Sequence, residues 1–273
     1  MNKKINLIIG SGVLGAYLAL ELLKNKEEVI VTTRSIKKKI KKYHYLKIQK
    51  KVKFIKLDVS KKTKIKKIIN EFNPDKIFYF AGQSSLTKSL KDKKGTLLSH
   101  FEGTKNFLDI IKQENLKIKF FKANSGYIFS PKKGLIDINC KFSTNSNPYI
   151  KAQQMTFKLI KKYRKFGLNL FNLVFMQIES PLRPKEFFIK KVCLGAKNKK
   201  KIEVGNINSY RDYSWITEIV KATNNPQSVE LLPSKSTISN TFSHAAFALF
   251  NPSNELAIAA RSIGNQCSAY TRR

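Results

Sequence analysis

The sequence predicts an α/β fold built on a doubly wound parallel sheet. Three observations carry this. Short apolar, β-branched runs alternate with longer segments of helical periodicity; a glycine-rich turn joins the first run to the first helix; and 42% apolar residues in a chain of 273 can build the core of one large domain. Ile5–Ile9 is apolar and ends in glycine, so it reads as a buried first strand. Leu14–Leu23 repeats apolar residues at helical spacing, Glu28–Thr33 is a β-branched second strand, and Val52–Leu57 alternates as a third. Thr63–Phe72 sets Ile65, Ile68, Ile69 and Phe72 on one face of an amphipathic helix, and Asn73-Pro74-Asp75 stops it. Lys76–Ala81 is the next strand. Thr96–Lys112 then reads as helix, Ile118–Ala123 as extended, Tyr149–Lys165 as helix and Leu168–Phe175 as extended. Such alternation implies parallel strands with helices on both faces.

Composition narrows the classes of function. No run reaches the roughly 18 uninterrupted apolar residues of a membrane span. The basic start Met1-Asn2-Lys3-Lys4 is followed by a glycine turn after only a short apolar run, which suits a buried strand and not a signal peptide, so a cytoplasmic location is expected. Cys140, Cys193 and Cys267 are odd in number and far apart, and His44, His100 and His244 have no metal-ligand spacing; neither a disulfide framework nor a metal site is expected. The net charge of +35 invites nucleic acid as a partner, because basic surfaces release counterions from phosphates. Only seven of the 53 basic residues are arginine, however, and lysine is spread over nearly every segment. That is a compositional bias, and nucleic-acid binding is not expected as the main function. The densest cluster, residues 36–42, follows the second strand, where it can help hold an anionic ligand. The lysine-rich character ends near Lys221, and only Lys235 follows. The expected organisation is therefore a nucleotide-binding domain over 1–221 and an atypical segment over 222–273. For that segment a small helical cap, a disordered tail and a non-homologous end all stay open.

The turn after the first strand carries the chemistry. In Gly10-Ser11-Gly12-Val13-Leu14-Gly15, Gly10 allows the tight turn, Gly12 lets backbone approach a pyrophosphate, and Gly15 allows helix and strand to pack closely. The helix N-terminus behind the loop faces the negative charge. Strand before and helix after are the context this pattern requires, and they make the fold Rossmann-type. At the end of the second strand a carboxylate would hold the ribose hydroxyls of NAD, but Thr32-Thr33-Arg34 stands there. An arginine suits a 2′-phosphate, so NADP is favoured over NAD.

Five ordered blocks carry a family resemblance: Asn73-Pro74-Asp75-Lys76-Ile77-Phe78-Tyr79-Phe80-Ala81-Gly82-Gln83-Ser84, Glu102-Gly103-Thr104, Asn147-Pro148-Tyr149, Glu179-Ser180-Pro181-Leu182-Arg183 and Ser209-Tyr210-Arg211-Asp212. Over residues 5 to about 220 the chain resembles the extended short-chain dehydrogenase/reductases (the NAD-dependent epimerase/dehydratase family), most of all their GDP-mannose 4,6-dehydratase branch. The resemblance implies that Gly10–Gly15 cradle the cofactor phosphates, that Asp58-Val59 lie by the adenine, and that Ala81-Gly82-Gln83-Ser84 line the nicotinamide side with Arg183. It also implies Tyr149 as the group that deprotonates the sugar 4-hydroxyl, with Ser125 assisting. Gln177 and Arg211 fall at substrate positions, Arg211 suiting a diphosphate. A homodimer or homotetramer, paired through residues 96–112 and 149–165, is the implied assembly.

The chain departs from that pattern where the chemistry is done. The family's lysine, four residues after the tyrosine on the same helix face, is Gln153 here; it would grip the ribose and lower the tyrosine's pKa. Lys151 is on the opposite side of the helix. The active-site glutamate falls at Tyr127, and a phenol is a far weaker base than a carboxylate near neutral pH. Gln177-Ile178 replace Asn-His, Gly95 replaces a tyrosine, and the substrate lobe is expected to be incomplete after residue 221. The expected function is an NADP-dependent 4,6-dehydratase-like lyase acting on GDP-mannose, with impaired dehydration. A related epimerase or reductase, and a degraded NAD(P)-binding protein, are the alternatives.

Overall fold

The computed structural model describes residues 3–131, 136, 140–198, 201–203, 212–224, 247–250 and 256–259. Its frame is the alternation the sequence predicts. Strand β1 (Ile5–Ile9) runs into helix α1 (Val13–Lys24), then β2 (Glu28–Thr33), α2 (Ile36–Tyr45), β3 (Lys53–Lys56), α3 (Lys62–Phe72) and β4 (Lys76–Tyr79). There follow α4 (Leu86–Lys91), α5 (Lys93–Leu97), a π-helical turn (Leu98–Glu102), α6 (Gly103–Gln113) and β5 (Lys119–Ser125). A 3-10 turn (Gly126–Ile128), α7 (Pro148–Arg164), β6 (Leu170–Phe175), β7 (Gln177–Glu179), α8 (Phe188–Lys197), β8 (Tyr213–Trp215) and α9 (Ile216–Asn224) complete the main body.

Six strands lie parallel in the order β3-β2-β1-β4-β5-β6. Strands β9 (Phe247–Phe250) and β10 (Leu256–Ala259) extend the sheet antiparallel beyond β6, so backbone within the compositionally distinct segment pairs with the main sheet. A small parallel pair, β7 with β8, stands apart from the large sheet. The order reverses between β1 and β4, which is where an open α/β sheet has its crevice.

Both faces of the sheet are sealed by apolar side chains. On one, Ile8, Val31, Phe78, Phe121 and Leu173 pack with Leu18 and Leu22 of α1 and Ile219 and Val220 of α9. On the other, Leu7, Ile9, Ile30, Ile77 and Phe120 pack with α3, α6 and α7. Phe78, Phe121 and Phe171 stack across three strands with centroids 4.7 and 4.6 Å apart. Each such stack contributes about 0.5–1.5 kcal/mol beyond its buried area.

The structure corrects two readings of the sequence. β2 and β3 do not follow one another directly, because a parallel pair needs a crossover, and α2 supplies it. Its run of lysines masks the apolar face; Tyr43 is nonetheless fully buried, edge-on to Phe54 at 4.8 Å. The helix expected over 96–112 is broken by the π-helical turn at Leu98–Glu102. The hydroxyls of Thr104 and Thr156 donate to the His100 carbonyl at 2.6 and 3.2 Å, meeting an acceptor inside that turn.

Candidate functional site

The glycine loop and the segment after β4 meet at the crevice. Gly10 has φ +109°, and a Cβ there would lie 2.8 Å from the Ala81 nitrogen. A Cβ on Gly15 would sit 2.3 Å from the Gly10 carbonyl oxygen, so only glycine lets α1 close onto the loop. Gly12 differs: a Cβ there meets nothing within 4 Å, because it faces open space at the start of α1. Ser11 is buried, while Val13 and Leu14 are half-buried against the core. Open backbone at a helix N-terminus is the chemistry that receives a pyrophosphate.

Arg34 is exposed just beyond β2, and its charge bears on Asp58. The backbone N–H and hydroxyl of Ser60, at 3.0 and 2.9 Å, hold the Asp58 carboxyl below its usual range, with Arg34 and Lys61 adding to the effect. Val59 is buried, and its carbonyl accepts from Asn106 at 3.0 Å. These residues place one cation and one carboxylate just beyond the ends of β2 and β3.

At the opposite end, Ala81, Gly82, Gln83 and Ser84 leave β4 toward α4. Asn147 ties that region to α7: its side chain caps Tyr149 N at 2.9 Å, meets the Ser89 hydroxyl at 2.9 Å and donates to the Leu86 carbonyl at 3.2 Å. Pro148 opens the helix, a position where its missing N–H costs nothing. Tyr149 is thereby set beside Ser125, the last residue of β5. Burial raises the Tyr149 phenol above its usual range, while Ser125 and Gln153 hydrogen-bond its oxygen and Arg183 adds positive charge, all in the opposite direction. Gln153 is 3% exposed, one helical turn further on the same face, whereas Lys151 is exposed on the other side. Lys151 is no substitute for the lysine missing at 153.

In the turn after β5, the Tyr127 hydroxyl accepts from Gln177 Nε2 at 2.6 Å. Gln177 begins β7, and its backbone N–H donates to the Asp212 carbonyl at 3.1 Å. The guanidinium of Arg183 lies 3.7 Å over the Phe187 ring and 3.9 Å from buried Glu179. Arg211 lies outside the described residues. Among the described residues no cluster of metal-ligating side chains occurs, and no helix is long and apolar enough to cross a membrane.

His100 escapes sequence reasoning, because nothing around it in the chain marks it. It is 4% exposed in the π-helical turn, its Nε2 lies 2.8 Å from the Gln83 carbonyl, and its ring stands edge-on to Tyr149 at 5.4 Å. Gly82, with φ +146°, passes so close to the imidazole that a Cβ would fall 2.2 Å from it.

A parallel sheet in this strand order, with a glycine loop at its switch point and a Ser-Tyr pair at the β5–α7 junction, defines the Rossmann fold of the short-chain epimerase/dehydratase class. Solved structures share it. UDP-glucuronic acid 4-epimerase from Bacillus cereus, in complex with UDP-glucuronic acid and NAD, superposes with a TM-score of 0.72 at 19% identity, covering 86% of this chain and 75% of that one. dTDP-glucose 4,6-dehydratase from Bacillus anthracis, in complex with NAD, gives 0.70 at 16% identity, covering 81% and 70%. The chain belongs to the GDP-mannose 4,6-dehydratase family, whose profile matches residues 7–244. Its relatives include GDP-mannose 4,6-dehydratase of Vibrio cholerae serotype O1, 27% identical over 242 residues, and that of Drosophila melanogaster, 26% identical over 176. The matches span 81% and 60% of this chain but only 63% and 44% of those relatives.

Proposed function

We propose that this chain binds NADP in the crevice between β1 and β4 and acts on a nucleotide sugar, GDP-mannose by its family, through the sugar's 4-hydroxyl. The meeting of Ser125 and Tyr149 at the mouth of that crevice carries the reading. Gly12 presents open backbone to the pyrophosphate, Gly15 brings α1 against the loop, and Arg34 stands where a 2′-phosphate would lie. The cofactor, when bound, supplies a hydride acceptor and donor. Tyr149 takes the proton of the 4-hydroxyl, and Ser125 and Gln153 hold the tyrosine oxygen by hydrogen bonds as charge develops on it. A cytoplasmic setting is part of the proposal.

The overall reaction proposed is the dehydratase type, GDP-mannose to GDP-4-keto-6-deoxymannose, with its elimination step impaired. Loss of water across C5 and C6 needs a base, and position 127 offers a phenol whose oxygen already accepts from Gln177. Chemistry confined to C4, as in an epimerase or reductase, needs Tyr149 and not a carboxylate. Gln153 favours one further reading, a binding protein without turnover, since an amide carries no charge to stabilise a phenolate.

Two measurements separate these readings. NADPH titration should show binding in the micromolar range; absence of binding ends every cofactor-based reading. Incubation with GDP-mannose and NADP+, followed by mass spectrometry, should yield a C4-oxidised or C4-inverted sugar nucleotide in excess of the dehydrated product. If the substrate comes back unchanged while NADPH binds, the chain is a binding protein.

A further inference from the structure

The π-helical turn Leu98–Glu102 is fastened on three sides. The Tyr79 hydroxyl of β4 donates to the Ser99 carbonyl at 2.7 Å, and Thr104 of α6 and Thr156 of α7 donate to the His100 carbonyl. Gly103 leaves room for the first of these, since a Cβ there would lie 2.2 Å from the Tyr79 oxygen. An i→i+5 turn inserts one extra residue into a helix, and such insertions recur at functional sites. The buried side chain that this turn presents is His100.

Its imidazole touches two parts of the candidate site. On one side is the segment that leaves β4. Nε2 lies 2.8 Å from the Gln83 carbonyl, and a Cβ on Gly82 would fall 2.2 Å from Cε1 and 2.6 Å from either ring nitrogen. On the other side is Tyr149, with the rings at 81° and their centroids 5.4 Å apart. The same segment meets the glycine loop at Ala81, whose nitrogen a Cβ on Gly10 would approach to 2.8 Å. Residues 81–83 are thus held by the glycine loop and by His100, at the point where the strand order reverses. Because a carbonyl can only accept, Nε2 carries the proton. Nδ1 is buried with no hydrogen-bond partner, so the bond to Gln83 is the imidazole's one polar link among the described residues. Burial, and after it the charge of Lys122 on β5, lowers the imidazole to about 3, so the ring is neutral near pH 7 and the link does not depend on its charge.

We propose that His100 is a positioning residue for the nicotinamide half of the cofactor: it holds residues 81–83 in register with Tyr149. The inference rests on the reading that NADP lies in the crevice between β1 and β4, its phosphates on the glycine loop. In that placement the adenosine half is gripped by Gly10–Gly15 and Arg34, which His100 does not touch. The reactive ring lies toward residues 81–83 and the phenol, where a small displacement puts hydride and proton transfer out of line. His100 fixes that spacing because its carbonyl is tied to α7 while its side chain is tied to the β4 segment.

The test compares binding of NADPH with binding of adenosine 2′,5′-bisphosphate, the adenosine half alone, by titration calorimetry. His100→Leu fills the space and removes the donor to Gln83; His100→Asn keeps an N–H that can reach the same carbonyl. His100→Leu should weaken NADPH about 5- to 10-fold, the worth of one such hydrogen bond, and leave the bisphosphate unchanged. His100→Asn should recover most of the loss. Unchanged NADPH affinity in His100→Leu, equal losses for both ligands, or His100→Asn no better than His100→Leu overturns the proposal. If His100→Leu does not fold, the parent chain answers by ¹⁵N NMR of its imidazoles. The His100 signal, protonated at Nε2, should shift on saturation with NADPH and stay in place with the bisphosphate; a signal that NADPH leaves unmoved overturns the proposal. A parent chain that binds no NADPH ends the cofactor reading itself, and the inference with it, before any variant is compared.

Discussion

Gln177 Nε2 donates to the Tyr127 hydroxyl at 2.6 Å, which joins the turn after β5 to the first residue of β7. The phenol at 127 is therefore held in place but occupied. Tyr127→Glu puts a base at that position and keeps an amide donor beside it. A positioned general base contributes about 10²- to 10⁴-fold. The dehydrated product should rise at least tenfold relative to the parent chain, measured by mass spectrometry of the sugar nucleotide. No rise, in a variant that still binds NADPH, would remove position 127 from the reaction.

Gly12 and Gly15 allow the proposed cofactor binding to be tested apart from folding within one loop. A methyl at 15 falls 2.3 Å from backbone oxygen of Gly10, whereas one at 12 meets nothing within 4 Å. Gly15→Ala should destabilise the chain by about 1–3 kcal/mol, lowering the melting temperature by roughly 2–4 °C for each kcal/mol. Gly12→Ala should leave the melting temperature unchanged and weaken NADPH binding. Equal melting temperatures for the two variants would contradict the packing at Gly15.

These two glycines also mark how far sequence reading reaches. The loop, its strand and its helix were legible because the pattern is local: a β-branched run, glycines at set spacing, then helical periodicity. α2 was not, because lysines dominate its sequence and its buried anchor Tyr43 meets Phe54 from another element. In the site, Tyr149, Ser125 and the exchange at Gln153 were readable by resemblance. His100 was not: it looks ordinary in its own stretch of chain, and only the packing of the π-helical turn against α7 brings its ring to Tyr149. Arg34 lies between these cases, since its position after β2 was legible while its field on Asp58 is a tertiary fact.

That position gives a prediction about cofactor choice. Arg34 is exposed, so its loss should not disturb the fold. A charge-assisted hydrogen bond to a 2′-phosphate is worth about 1.5–3 kcal/mol, or roughly 10- to 100-fold in affinity. Arg34→Ala should weaken NADPH by that factor and leave NADH nearly unchanged, as measured by fluorescence titration of both. Equal losses for the two cofactors would assign Arg34 no part in the selection.

Lys122 also makes stability depend on pH in a direction that can be stated. Its amine titrates near 10.5 in the unfolded chain and is lowered to about 7 by burial in the folded one. Below about pH 7 both states carry the proton, and the cost of burying the charge is felt in full. Between about 7 and 10.5 the unfolded chain binds more protons than the folded one, so the contribution of this group to stability rises with pH. Above that range both are neutral and the contribution levels off. The chain as a whole also sheds positive charge over the same interval, so the parent melting curve alone does not isolate the lysine. Lys122→Met does, because methionine fills the space without titrating. The variant should be the more stable at pH 6, since a buried unpaired charge is gone, and the gap should narrow steadily as pH rises toward 10. A gap that stays constant with pH would mean that the Lys122 ammonium is solvated in the folded chain.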